Sequence, residues 1–249
     1  GNLKTLLRGK MTGERPAVIL SRLIPMGAFG RLDIEDLAHA EDVGELLRHL
    51  ESSPYADIVR PARRAFEESH DPFILDAALD RSYYEGLEHR ASPLEAAAGD
   101  AFRRLMSSLI DRLNLVWLMR YRFNYKLPPA QVYFLLVASR YTLSSAQLRK
   151  LAALGSQEEV LSALPESLRG LLAEVNGIPE VFARMERHTV DIARKVLHAD
   201  CPAIARAFAY LILREHDLRA VRAVLRGRLL GLPEADIRLA MFHPAAGSA

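Results

Sequence analysis

Apolar residues recur along this chain at helical spacing, and one such helix end occurs three times. Leu3, Leu6 and Leu7 stand at i, i+3 and i+4 and form one stripe, as do Val221, Val224 and Leu225. Lys4 and Arg8, like Arg222 and Arg226, lie one turn apart on another face. Each stripe runs into basic-Gly-basic, Arg8-Gly9-Lys10 and Arg226-Gly227-Arg228, and then a further glycine, Gly13 or Gly231. The middle copy, Asn114 to Arg122, keeps Arg120 and Arg122 but has Val116 at the first basic position. Gly9 and Gly227 suit helix C-caps, and the basic residues suit the negative end of the helix dipole. Asp111 and Asp217 lie three residues before the second and third copies, and with Glu215 they are the expected partners of the basic rows. The copies are separated by about the length of a small domain, which points to domain duplication rather than a solenoid.

The stretches between copies follow one order. Leu32 to Leu37 reads as a short helix capped by Asp33, paralleled by Leu143 to Leu148. Glu41–Glu51, with Val43, Leu46, Leu47 and Leu50 on one face, reads as another helix, and its Gly44–Leu50 part is paralleled by Gln157–Leu164. Helices are expected from Pro61 to about Glu68 and again from Pro72, and Met26 to Gly30 is loop-like. Glu180–Leu197 parallels Glu67–Leu87. Ser92-Pro93-Leu94-Glu95 predicts a long helix with Ser92 as N-cap, running to Tyr121 with a break near Gly99. Another long helix starts after Pro202 and ends at the third copy; a short one spans Pro233 to Phe242, and Pro244 to Ala249 is a tail. No period-2 strand or Asn-Gly hairpin signal interrupts this, so the fold class is all-α. The domains are expected at 1–90, a first helical repeat, and 91–249, a second repeat that carries the third helix end.

The composition agrees with a globular helical protein: 249 residues, 50% hydrophobic and 26% charged. A net charge of +2 gives no bulk basicity, and nucleic acid is not an expected partner. Cys201 is the only cysteine, which excludes a disulfide framework and a cysteine metal cluster. The longest apolar runs, Ala207–Leu213 and Val132–Ala138, fall far short of the roughly 20 residues of a membrane span.

Candidate chemistry is sparse. Glu215-His216-Asp217, with His188 and His198, suggests a metal centre, but neighbours on a helix point about 100° apart and no paired-histidine spacing is present. No metal and no cofactor is expected. Neither a phosphate-binding Gly-rich loop ending in Lys-Ser/Thr nor a Gly-x-Ser-x-Gly elbow occurs, so the chain is not expected to be an enzyme. Asp76, Asp80, Arg81 and Glu85 read as a solvated acid–base face or an interaction surface. Tyr83, Tyr84, Trp117 and Tyr121 read as packing aromatics.

The strings NLKTLLRGKMTG and EHDLRAVRAVLRGRLLGLPEADI resemble the C subunit of archaeal and bacterial V/A-type ATPases, which is related to the d subunit of eukaryotic V-ATPases. DRSYYEGL (Asp80–Leu87) is similar to the Tyr-rich stretch of that family. The resemblance covers nearly the whole chain, is strongest at the three helix ends, and suggests a member lacking its N-terminal part. It implies two to three similar helical domains in a pseudo-symmetric, funnel-like arrangement. It further implies a non-catalytic central-stalk component of a proton- or sodium-translocating rotary ATPase. Its expected partners are the rotor-ring proteolipid subunits and the central-shaft subunits, at the cytoplasmic side of the membrane and peripheral to it. The expected partner-interface residues are Lys4, Arg8, Lys10, Arg120, Arg122, Glu215, Arg222, Arg226 and Arg228. The competing expectations are a stand-alone duplicated helical scaffold and a helical metal-dependent hydrolase.

Overall fold

The computed structural model of the chain describes residues 2–27 and 32–240, with the backbone alone for 238–240. Part of the expected loop at Met26 to Gly30 and the tail beyond residue 240 lie outside the described residues. Every regular element among the described residues is helical, so the protein is all-α. The chain divides into two compact units, Gly1–Gly86 and Leu87–Ala249.

The first unit holds α1 (Asn2–Met11), α2 (Pro16–Ser21), α3 (Ile34–His39), α4 (Val43–Glu51), α5 (Ala56–Ser69) and most of α6 (Pro72–Ala91). Its core is built by amphipathic stripes. Helix α1 packs on α4, and Leu6 and Leu7 of the one and Leu46, Leu47 and Leu50 of the other are fully buried. The starts are set by caps: Asp33 accepts from the Asp36 N–H at 3.1 Å, and Asp42 from the Glu45 N–H at 2.8 Å. Helix α5 starts before the expected Pro61, at Ala56, and takes the proline inside its second turn, where only one backbone hydrogen bond is lost.

The second unit holds α7 (Glu95–Met119), α8 (Pro129–Leu135), α9 (Ser145–Ala152), α10 (Gln157–Ser162), α11 (Glu166–Leu171), α12 (Ile178–His198), α13 (Ala203–Leu229) and α14 (Glu234–Ala240). Helices α7, α12 and α13 pack together. The buried stripe of α12 runs Ile178, Val181, Phe182, Met185, Thr189, Val190, Ala193 and Val196, and α7, which packs on α12, buries Leu105, Met106 and Ile110. Gly99 breaks α7 as expected, with φ 73°, ψ −174° inside the helix. Ser92 does not cap α7: residues Ser92–Leu94 form a 3-10 turn that follows α6 directly, and no side-chain cap bond forms there. Proline at the second position of that turn is tolerated because the turn needs no donor from it.

The two units share the order of their first elements. The starts of α9 and α10 are capped by Ser144 and Ser156 where α3 and α4 have Asp33 and Asp42. Glu45 of α4 and Glu159 of α10 both turn back to accept from the N–H just ahead of the cap, those of Glu41 and Gly155. Pro16 and Pro129 open α2 and α8 at the same distance after the helix end.

Candidate functional site

The three helix ends make the same turn. Gly13, Lys126 and Gly231 sit at the same place after them, with φ of 66°, 56° and 65°. The residue after each folds back on the helix: Glu14 N–H to the Gly9 carbonyl, Leu127 N–H to Tyr121 and Leu232 N–H to Gly227, each at 2.9 Å. In the middle copy one extra residue is absorbed by a π-turn over Arg120–Asn124. The expectation that Gly9 and Gly227 are caps is corrected. Both lie inside their helices, and the caps are Gly13 and Gly231. Gly9 and Gly227 are small because a helix crosses them. A Cβ on Gly9 would stand 2.6 Å from Ile19 Cγ1 of α2, and one on Gly227 would stand 2.4 Å from Ile237 Cγ1 of α14. Tyr121 replaces the glycine in the middle copy. Gly227→Ala is expected to cost about 1–3 kcal/mol by overpacking. It should loosen α14, read as faster amide exchange over 234–240, and leave the core of α7 and α12 protected.

A side-chain clamp that the sequence reading did not assign locks the first two copies. Asn2 donates from Nδ2 to the Ile24 carbonyl at 2.7 Å and accepts the Ile24 N–H at 3.0 Å, 22 residues on. Asn114 does the same to Val137, at 3.0 and 2.9 Å, 23 residues on. The last basic residue of each copy reaches a carbonyl 30 residues on: Lys10 to Ala40 at 2.6 Å, Arg122 to Ala152 at 3.1 Å. Both carbonyls lie at the C-terminal end of the equivalent helix, α3 or α9, where backbone acceptors are left over. The third copy has Ala220 in place of the asparagine.

The basic rows are placed as follows. Lys4 bonds Asp80 at 2.7 Å and Arg8 bonds Asp76. Asp76 and Asp80 are thus not a solvated face; their side chains are mostly buried, at 16% and 19% exposure. Nor do the rows pair with Asp111, whose carboxylate accepts from Ser107 Oγ and the Leu143 N–H, each at 2.8 Å. The reason is geometric: Asp111 lies on the side of α7 that faces the α8–α9 connection, away from the row. Arg120 is half-buried, while Arg222, Arg226 and Arg228 are exposed and make no hydrogen bond or ion pair among the described residues. Glu215 is exposed and lies 3.8 Å from Arg219.

Burial raises the pKa of Asp80 above 3.8, and Lys4 partly offsets this. A folded-state value above the unfolded one favours folding below the unfolded pKa, and that advantage is lost as pH rises through the folded value. Lys4→Ala is therefore expected to push the Asp80 titration higher still. It should destabilise unit 1 by about 1–3 kcal/mol near pH 7 and by much less near pH 3. Carboxyl NMR titration with amide exchange in α1 checks both statements.

The second unit carries a buried charge cluster. Glu186 of α12 is 1% exposed and is met by Arg112 at 2.5 Å, Arg219 at 2.9 Å and His216 Nδ1 at 3.3 Å. Arg112 also lies over the Phe182 ring, 5.7 Å from its centroid. His216 therefore belongs to an ion-pair network, while its neighbours Glu215 and Asp217 are exposed and point elsewhere. Among the described residues no group of three or more His, Cys, Asp or Glu could hold a metal ion. The aromatics pack on one another: Trp117 stacks on Tyr121 at 6.2 Å, and Tyr83 meets Tyr84 edge-on at 5.0 Å. Among the described residues no helix is long and apolar enough to cross a membrane.

The recurring feature of the chain is a helix end that turns back on itself in the same way three times, and known proteins are similar to it in sequence. The C subunit of the A-type ATP synthase of Methanocaldococcus jannaschii is 22% identical over 245 residues, which is 95% of this chain and 61% of that protein. Its counterpart in Methanosarcina mazei is 23% identical over 243 residues, 95% of this chain and 65% of that protein. That of Halobacterium salinarum is 22% identical over 249 residues, 95% of this chain and 69% of that protein. This chain thus spans under two thirds of the length of the first two relatives. A profile of the ATP synthase (C/AC39) subunit family matches residues 1–239. With the match running through all three helix ends, the chain belongs to the ATP synthase (C/AC39) subunit family.

Proposed function

We propose that this chain is a non-catalytic component of a V/A-type rotary ATPase, and that it couples the central shaft to the membrane rotor ring. The single observation that carries the reading is the family match over residues 1–239, which spans all three copies of the helix end. The build suits the task. A coupling element must transmit torque without yielding, and the asparagine clamps tie each of the first two helix ends to segments 22 and 23 residues away, with ion pairs to α6 added in the first. The partners in this reading are the proteolipid ring and the shaft subunits, with the protein peripheral to the cytoplasmic side. The pseudo-symmetric, funnel-like arrangement belongs to the same proposal.

The nine charged candidates divide by exposure. Lys4, Arg8, Lys10 and Arg122 already serve contacts within their own units, so they support the shape of a surface more than they form it. Arg120, Glu215, Arg222, Arg226 and Arg228 are the ones a partner would meet. The test is a pull-down of the tagged chain from detergent-solubilised membranes of the source organism, with its helical fold checked by circular dichroism. Recovery of ring and shaft subunits is the expected result. A folded bait that recovers neither overturns the coupling role in favour of a stand-alone duplicated scaffold.

A further inference from the structure

The second unit distributes its charges unlike the first. Residues 112–157 hold seven Lys or Arg and no Asp or Glu, although the chain has 31 acids in all. The equivalent stretch of the first unit, 2–42, holds six acids. Two of those six cap helices, and there the second unit uses neutral residues: Asp33 and Asp42 cap α3 and α4, but Ser144 and Ser156 cap α9 and α10. Glu14, which folds back after the first helix end, has Leu127 as its counterpart. The residue just before it changes in the opposite sense. Gly13 and Gly231 take a left-handed φ with no side chain, whereas Lys126 takes it at 56° and sets a charge at that place.

The π-turn over Arg120–Asn124 packs on α8, and α8 packs on α9. Arg122 ties the turn to the Ala152 carbonyl, and the Arg149 guanidinium lies over the Tyr133 ring, 4.9 Å from its centroid. Lys126, Arg149 and Lys150 are exposed and make no hydrogen bond or ion pair among the described residues. Tyr125 is 47% exposed and Phe134 48%, with Pro128 and Pro129 exposed between them in the chain. Arg140 is already held by Glu88 and Glu95. Of the acids that flank the stretch, Asp111 is buried on Ser107 and the Leu143 N–H, Glu159 is turned onto the Gly155 N–H, and Glu158 is exposed at the start of α10.

We propose that the face built by the π-turn, α8 and α9 rests on an anionic phospholipid surface. Lys126, Arg149 and Lys150 lie among the headgroup phosphates, and Tyr125 and Phe134 lie at the boundary of headgroups and acyl chains. A leaflet of anionic lipid is negative everywhere, so it repels a carboxylate at any point of the surface that faces it. A protein partner offers discrete charges and tolerates acids between them. The loss of every acid, helix caps included, matches the first case. Exposed aromatic rings beside basic residues are the side chains that settle at headgroup level. No described helix is long and apolar enough to cross a membrane, so the contact is made on the surface. The inference rests on the charge pattern and not on the coupling role.

The test is sedimentation of the purified chain with vesicles of equal parts phosphatidylglycerol and phosphatidylcholine, against vesicles of phosphatidylcholine alone. Binding to the first and none to the second is the expected result, weakening as salt rises. The Lys126→Gln, Arg149→Gln, Lys150→Gln variant lowers the partition coefficient on the order of a hundredfold, about fivefold for each charge. Arg187→Gln, Arg194→Gln, Lys195→Gln removes as much charge from the exposed face of α12 and leaves binding within about twofold. Tyr125→Ser with Phe134→Ser weakens binding at constant charge. All of these positions are exposed, and circular dichroism confirms that each variant is folded. No binding of the folded chain to the anionic vesicles overturns the proposal. Equal losses in the two triple variants also overturn it, since bulk charge would then explain the binding. So does binding to poly-L-glutamate without binding to vesicles, which would assign the face to an acidic polypeptide. The vesicles contain no protein, so failure here and failure of the pull-down remain distinct.

Discussion

Glu186→Ala is expected to lower the thermal midpoint of unit 2 by about 10 °C. The carboxylate sits between α7, α12 and α13 and is the common acceptor for Arg112, Arg219 and His216. Arg112 is only 8% exposed, so removing Glu186 takes away the carboxylate that offsets a guanidinium buried in the core. Breaking a buried pair in this way costs about 3–5 kcal/mol. For a unit of this size, each kcal/mol shifts the midpoint by about 2–4 °C. Trp117, the single tryptophan, lies buried in α7, and its fluorescence reports this unit alone. The pair itself is a weak source of stability, because both charges are desolvated. Replacing Arg112 and Glu186 together by methionine is therefore expected to recover at least half of the loss. A single variant that leaves the midpoint within about 2 °C of the parent would show that water reaches Arg112, and the cluster would then not be a core element.

What was legible in the sequence was local. The helix ends announced themselves by an i, i+3, i+4 stripe and a basic-Gly-basic run, and the cap at Asp33 by a polar residue ahead of apolar periodicity. The duplication was visible because these signals recur in one order. What was not legible lay in contacts far apart along the chain. Lys4 and Arg8 have acidic neighbours in no nearby turn, and their partners are 76 and 68 residues on, so the row looked surface-exposed when half of it is not. Asp76 and Asp80 looked solvated for the same reason. Gly9 and Gly227 looked like caps because glycine at a helix end usually is one. Only the crossing of Ile19 and Ile237 shows that a missing Cβ, not a left-handed φ, is what those positions need. The asparagine clamp could have been suspected from one signal, the shared Asn2 and Asn114 at the head of two copies. Its absence at Ala220 could have marked the third copy as different.

Asn114→Ala is expected to destabilise unit 2 by about 2–4 kcal/mol, more than its small volume suggests. The side chain is fully buried and completes both hydrogen bonds of the Val137 peptide groups. Val137 follows the end of α8, where the chain turns away and no helix or strand ladder serves its N–H and carbonyl. Truncation removes one donor and one acceptor and leaves two backbone groups buried without partners, each at about 1–3 kcal/mol less what a trapped water returns. Asn114→Asp is the sharper variant. It is nearly isosteric and keeps the acceptor for the Val137 N–H, but it sets a carboxylate oxygen against the Val137 carbonyl. Its cost should then fall as pH drops and the carboxyl gains a proton that can be donated to that carbonyl, whereas the cost of the alanine variant should not change with pH. Asn2 makes the same two bonds at an exposed position, where water can replace it, so Asn2→Ala should cost under about 1 kcal/mol. Denaturant unfolding of the three variants between pH 3 and pH 7 checks the set. Equal costs for Asn2→Ala and Asn114→Ala would mean that burial is not what gives the clamp its strength. In that case the stiffness of the second helix end would have to come from the packing of Leu115, Leu118 and Met119 alone.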